Sequence, residues 1–195
     1  AAHARLLAQG FEPGEPVRLR RPIRAPDGAD TFAEFTVIRV PPEKMPEGRI
    51  QILTQETPDL IWQPHLIARD NAMTMLSGAL VCVDDPAETA DRFRRFLGRE
   101  PDGGGECVVI PLDRGRLVLA TPARCRSMLG GLEPPGAPSI VAIGLMANDL
   151  PVARRYLERR GVGMAAVTGG YRVGPADAEG ASIVIHGAEE AWPAD

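Results

Sequence analysis

The chain has 195 residues, 26 acidic and 22 basic, with a formal net charge of −4, and this balance argues against a nucleic-acid binder, which normally carries a basic surplus or stripe. It is long enough to bury a core without disulfides or metal, and at 44% hydrophobic content its 21 glycines and 19 prolines mark tight turns, not disorder. Three cysteines without a C-x-x-C pair give no disulfide framework and no Cys-based zinc site, which fits a reducing, cytoplasmic setting.

No apolar run of about 18 residues suggests a membrane span, and no signal peptide is read. Schiff-base chemistry would have to use Lys44, the one lysine, which lies in a Pro/Glu-rich loop.

In chain order, His3 to Gln9 reads as the end of an amphipathic helix, with Leu6 and Leu7 apolar and Gly10 as its stop. Strands are expected over residues 17–23, 31–40 and 49–53, with Asp27-Gly28 turning between the first two. A strand over residues 80–83 leads into a helix over 85–97. Asp84 or Asp85 caps it, Pro86 sits in the first turn, and Gly98 ends it. Its apolar stripe is Ala90, Phe93, Phe96 and Leu97. Strands over 107–112 and 116–120 follow, joined by Asp113-Arg114-Gly115. Residues 121–138 read as an irregular linker with a short helix around 123–129. Gly103-Gly104-Gly105 reads as a plain flexible loop, and no nucleotide-binding glycine motif follows a strand.

The pattern then recurs. A strand over 143–148 enters a helix over 149–160, with Asp149 as cap, Pro151 early and Gly161 as stop. Strands over 164–168, 171–173 and 181–186 follow. Ala8-Gln9-Gly10-Phe11 matches Arg159-Arg160-Gly161-Val162 as a third copy of the helix end. The unit is an internal repeat of strand, helix and antiparallel hairpins. The fold class expected from the repeat is α+β, built of β-α-β-β(-β) units.

Several stretches carry a resemblance. They are Arg21-Pro22 through Pro26-Asp27-Gly28 with Phe32-Ala33-Glu34-Phe35; Thr54 through Pro64 followed by Arg69-Asp70-Asn71-Ala72; Asp85-Pro86 leading to Phe96-Leu97-Gly98; and Val173-Gly174-Pro175 with Gly180-Ala181. Together they resemble the vicinal oxygen chelate superfamily, which holds glyoxalase I, extradiol dioxygenases and bleomycin-resistance proteins. The bacterial glyoxalase-like domain proteins are the nearer match. The resemblance covers nearly the whole chain and is most specific around Trp62. It implies an α+β fold of repeated βαβββ modules forming cupped mixed β-sheets with helices on the outside, whose cup holds a small oxygenated molecule, commonly with one divalent metal (Zn, Ni, Mn or Fe(II)). Two imidazoles and a carboxylate converging there would leave open positions for two vicinal substrate oxygens.

The family's middle stretch runs Thr-His-x-Thr-Pro-Glu, then Trp, then His-Pro-Asn-Gly. Here the first His position is Gln55 and the second is Arg69, while Asn71 keeps the Asn and Ala72 replaces the Gly. A Gln carbonyl can ligate a metal, whereas a guanidinium repels one and would instead pair with a substrate carboxylate. Strand alternation lets only one of Gln55 and Glu56 look into the cup. The candidate residues are Gln55 and His186 for a metal, Glu56 and His65 for proton transfer, and Trp62, Arg69 and Asn71 for substrate. Asp70 is read as a turn residue before Asn71, and His3 as a surface helix residue.

Cys82 and Cys107 read as small buried hydrophobes, and Cys125, between Arg124 and Arg126, has neighbours that lower a thiol pKa. Ser77, Ser127, Ser139 and Ser182 lack the glycine framing of a nucleophile elbow. Two functions stand: a metal-dependent lyase, isomerase or dioxygenase, and a non-catalytic, bleomycin-resistance-like binding protein that has lost its metal ligands. A purely structural role is a third.

The module boundaries expected are 1–63 (a first module lacking its first strand), 72–122, and 138–190 pairing with the second. Because cups are built from pairs and the chain starts mid-helix without methionine, it is expected to be the later part of a four-module protein or to lack an N-terminal segment. The partners expected are a small molecule and a second copy in a homodimer, with neither nucleic acid nor membrane.

Overall fold

Asp85 and Asp149 decide where the two longer helices begin. In a computed structural model describing residues 2–188 and Trp192, Asp85 Oδ1 accepts the backbone N–H groups of Ala87 and Glu88, each at 3.0 Å. Asp149 Oδ1 accepts that of Val152 at 2.9 Å. Each carboxylate satisfies donors that a helix leaves free in its first turn. The helices stop at Gly98 and near Gly161, whose φ of 70° and 72° suits a residue without a side chain.

The chain divides into two compact units, residues 1–67 and 68–195. The first contains α1 (Ala2–Ala8), β1 (Val17–Arg24), β2 (Asp30–Arg39), β3 (Gln51–Gln55) and the one-turn α2 (Pro58–Ile61). Its strands form an antiparallel sheet in the order β1-β2-β3, with Leu19 opposite Phe35 and Phe35 opposite Gln55. Its fully buried side chains include Leu6, Phe11, Ala33, Val37 and Met45.

The second unit contains β4 (Met73–Cys82), α3 (Pro86–Leu97), β5 (Asp102–Gly104), β6 (Cys107–Pro111), β7 (Arg116–Ala120), α4 (Pro122–Met128), β8 (Ser139–Ala147), α5 (Leu150–Glu158), β9 (Met164–Val167), β10 (Gly170–Val173) and β11 (Ser182–Gly187). Its eight strands form one sheet, in the order β5-β6-β7-β4-β8-β11-β10-β9. The halves mirror each other. In each, the strand before the helix pairs in parallel with the last strand of its group, β4 with β7 and β8 with β11. The halves join through antiparallel β4 and β8. This is the α+β, cupped, mixed-sheet architecture expected from the repeat together with the resemblance.

Alternation assigns the two faces. Ile183 and Ile185 of β11 pack with Leu150, Ala153 and Leu157 of α5. Val184, between them, packs with Cys125, Leu129 and Trp192 on the opposite face. Leu80 and Cys82 of β4 and Val118 and Ala120 of β7 join that second cluster. The short α4 therefore lies inside the cup, on the face opposite α5, and Cys125 and Leu129 are fully buried there.

Two local expectations are corrected. The glycine loop at 103–105 is in part the edge strand β5, where Gly103 pairs with Val108 and Gly104 with Cys107. Ladder hydrogen bonds come from the backbone, so a run without side chains can still pair. The electropositive neighbours of Cys125 do not lower its pKa. Its side chain turns into the core while Arg124 and Arg126 do not, and burial, the leading cause, pushes the thiol well above its ordinary value.

Candidate functional site

The sheet of the first unit has two chemically different faces. Leu19, Arg21, Phe35, Val37, Arg39, Gln51, Leu53 and Gln55 share one face with Arg49 at its end, and they line a cavity of about 440 Å³. The other face carries Arg18, Arg20, Glu34 and Glu56. There Arg20 pairs with Glu34 at 3.1 Å and lies over the Phe32 ring, while Thr36 Oγ1 donates to Glu56 Oε1 at 2.6 Å. Gln55 and Glu56 thus look in opposite directions, as strand alternation demands.

The segment after β3 is held by polar clasps. Glu34 N donates to Thr57 Oγ1 at 2.9 Å. Gln63, only 1% exposed, donates through Nε2 to the carbonyls of Arg24 and Leu60. Trp62 is 59% exposed, and its indole Nε1 donates to Gln55 Oε1 at 2.9 Å. His65 lies in an exposed 3-10 turn, Pro64–Leu66. Nothing in the sequence marks Gln63: an amide between Trp62 and Pro64 gives no signal that it will be buried.

Arg69 and Asn71 open the second unit. Arg69 is exposed. Asn71 Oδ1 accepts from Met73 N at 3.0 Å, and the turn continues through Ala72 at φ 56°. Asn71 is therefore a local turn-maker. Asp70 sits in the same turn.

His186 lies inside the cup of the second unit, 4% exposed. Its Nε2 is 2.6 Å from Ser77 Oγ and its Nδ1 is 2.8 Å from the Gly187 carbonyl. A carbonyl can only accept, so Nδ1 carries the ring proton and Nε2 accepts the Ser77 hydroxyl. Trp192 stacks beside the imidazole, with ring centroids 6.5 Å apart. Ser77 reaches this face because β4 is irregular there: Leu76 opposes Leu145 and Gly78 opposes Gly144, which leaves Ser77 unopposed. Period-two reading assigns it to the wrong side.

Among the described residues no three His, Cys, Asp or Glu side chains converge. Gln55 Oε1 already accepts an indole N–H, and both nitrogens of His186 are engaged. With their donor atoms so engaged, neither Gln55 nor His186 is set up as a ligand of a divalent cation.

No family model matches the chain, and no curated protein matches it in sequence. Solved structures do. A hypothetical protein from Staphylococcus aureus superposes with a TM-score of 0.60 at 7% identity, over 95% of this chain. The chain spans 61% of that protein's length. Methylmalonyl-CoA epimerase from Mycobacterium tuberculosis gives a TM-score of 0.50 at 16% identity, over 66% of this chain and 97% of the epimerase. The fold is shared with a vicinal oxygen chelate enzyme. At these identities the likeness establishes the fold alone. No described helix is long and apolar enough to cross a membrane.

Proposed function

We propose that the chain is a small-molecule-binding protein of the glyoxalase-like, bleomycin-resistance kind that works without a divalent metal. The observation that supports this is the state of the donors: Gln55 holds Trp62, and His186 holds Ser77 and the Gly187 carbonyl. Both are used as structural hydrogen-bonding groups. In this reading Trp62 walls the ligand face of the first unit, and Arg69 and Asn71 are polar contacts that the second unit offers a small molecule. Residues 72–122 and 138–190 are the paired modules of one cup. Residues 1–63 are a third module lacking its first strand, and the protein pairs with a second copy as a homodimer.

The second reading, a metal-dependent isomerase or related lyase or dioxygenase, is favoured by the fold shared with the epimerase. It makes Gln55 and His186 the ligands and Glu56 and His65 the proton-moving groups, and it requires the hydrogen bonds of Gln55 and His186 to break.

The two readings separate on elemental analysis of purified protein, combined with thermal shift on adding Ni, Zn, Mn or Fe(II). Metal-free protein whose melting is unmoved by these ions is the expected result. Stoichiometric metal that disappears in His186→Ala would overturn the proposal in favour of the enzyme.

A further inference from the structure

Charge on the first unit's cavity face is unevenly compensated. Arg20 and Arg24, which do not line it, pair with Glu34 and Asp30. Arg21, Arg39 and Arg49, which do, have no ion pair among the described residues. Arg39 Nε is buried and has no hydrogen-bond acceptor. A charged donor withdrawn from water without a partner is costly and is normally satisfied. The buried Glu47, two positions before Arg49, is not among the residues lining the face.

The cations are arranged by register. Arg39 pairs across the sheet with Gln51, and Arg39 and Arg49 together border two adjoining cavities, so they meet at one end. Arg21 lies opposite Ala33, six residues of β2 away, or about 20 Å along the strand. Between these ends lie Leu19, Phe35, Val37 and Leu53, with Gln55 beside Phe35 and its Oε1 taken by the Trp62 indole. Leu53 is 45% exposed, a large apolar group left in water.

We propose that this face binds a small organic anion. Its apolar body lies on Leu19, Phe35 and Leu53, and its carboxylate or phosphate is held between Arg39 and Arg49. Two planar guanidiniums meeting at one end match the paired oxygens of either group. A volume of about 440 Å³ suits a ligand of metabolite size. The assignment rests on the small-molecule-binding reading above and names its ligand class.

Titration calorimetry on the full chain tests it with three probes of one shape: phenylbutyrate, phenylpropyl phosphate and the neutral phenylbutyramide. Both anions should bind, the amide about tenfold or more weakly, and the order of the two anions tells carboxylate from phosphate. Arg39→Gln should weaken the anions about tenfold or more and leave the amide unchanged. Arg49→Gln, at an exposed position, should do the same without endangering the fold. Arg18→Gln, on the opposite face, should change nothing. If the amide binds as tightly as the anions, the anionic class is wrong and the binding reading survives. If no probe binds, both fall. If Arg49→Gln instead shifts the sedimentation of the chain, the face joins two copies and the proposal is overturned.

Discussion

Gly144 shows how closely the inside of the second unit's cup is filled. A Cβ there would lie 2.6 Å from Trp192 Cε3 and 2.7 Å from Ser77 Oγ. Gly144→Ala must push one of them aside, and overpacking of this kind costs about 1–3 kcal/mol. A urea midpoint unchanged from the parent would show that Trp192 is not seated there. Ser77→Ala removes the donor that serves His186 Nε2 and leaves a buried acceptor unmet, a loss of about 1–3 kcal/mol. Ser77→Thr, which keeps the hydroxyl, should recover part of it.

Cys125 makes a pH prediction. Burial lifts its thiol, and that of Cys82, above the ordinary 9.0. The native chain therefore keeps protons that the unfolded chain releases. The resulting stability is fully present below the unfolded thiol's pKa and is lost as the pH rises past it. Urea midpoints should hold up to about pH 9 and fall above it, and fall less in Cys125→Ala. Equal slopes for the two proteins would place the thiol in water. The sequence around Cys125 shows only its two arginine neighbours. The direction a side chain takes from a short helix depends on what packs against it.

At the scale of elements, the repeat was legible because its punctuation is local. An aspartate cap and a proline in the first turn open both α3 and α5, and a glycine at positive φ follows each, Gly98 as the cap itself and Gly161 two residues past the cap Arg159. Asp85→Ala and Asp149→Ala should each cost about 1 kcal/mol by chemical denaturation, with Asn at either position close to neutral. A loss confined to one helix would mean that the copies have diverged in what secures them.

Less legible were features that depend on partners distant in sequence. β5 consists of an aspartate and two glycines, and only pairing with β6 makes it a strand. The bulge that turns Ser77 toward His186 is set by β8, which begins more than sixty residues later. Residues 121–138 showed a short helix but not that it would occupy the inside of the cup. Of the candidate site, the opposed directions of Gln55 and Glu56 followed from alternation alone. The indole bond to Gln55 and the double engagement of His186 did not.

For the whole molecule, the division into residues 1–67 and 68–195 has a direct test. All eight strands of the second unit's sheet find their ladder partners within 68–195. A fragment of those residues should therefore fold alone, giving a native near-ultraviolet circular dichroism spectrum and one cooperative melt. A fragment with secondary structure but no tertiary signal would show that the first unit is needed to complete it.

The chain's two tryptophans fall one to each unit, Trp62 largely in water and Trp192 3% exposed. An indole in water emits to the red of one held among apolar side chains. Unfolding of the second unit should therefore red-shift one component of the intrinsic fluorescence, while the Trp62 component changes mainly in intensity. Trp62→Phe and Trp192→Phe would each leave a single native optical reporter, allowing the stability of either unit to be followed in the intact chain without a label.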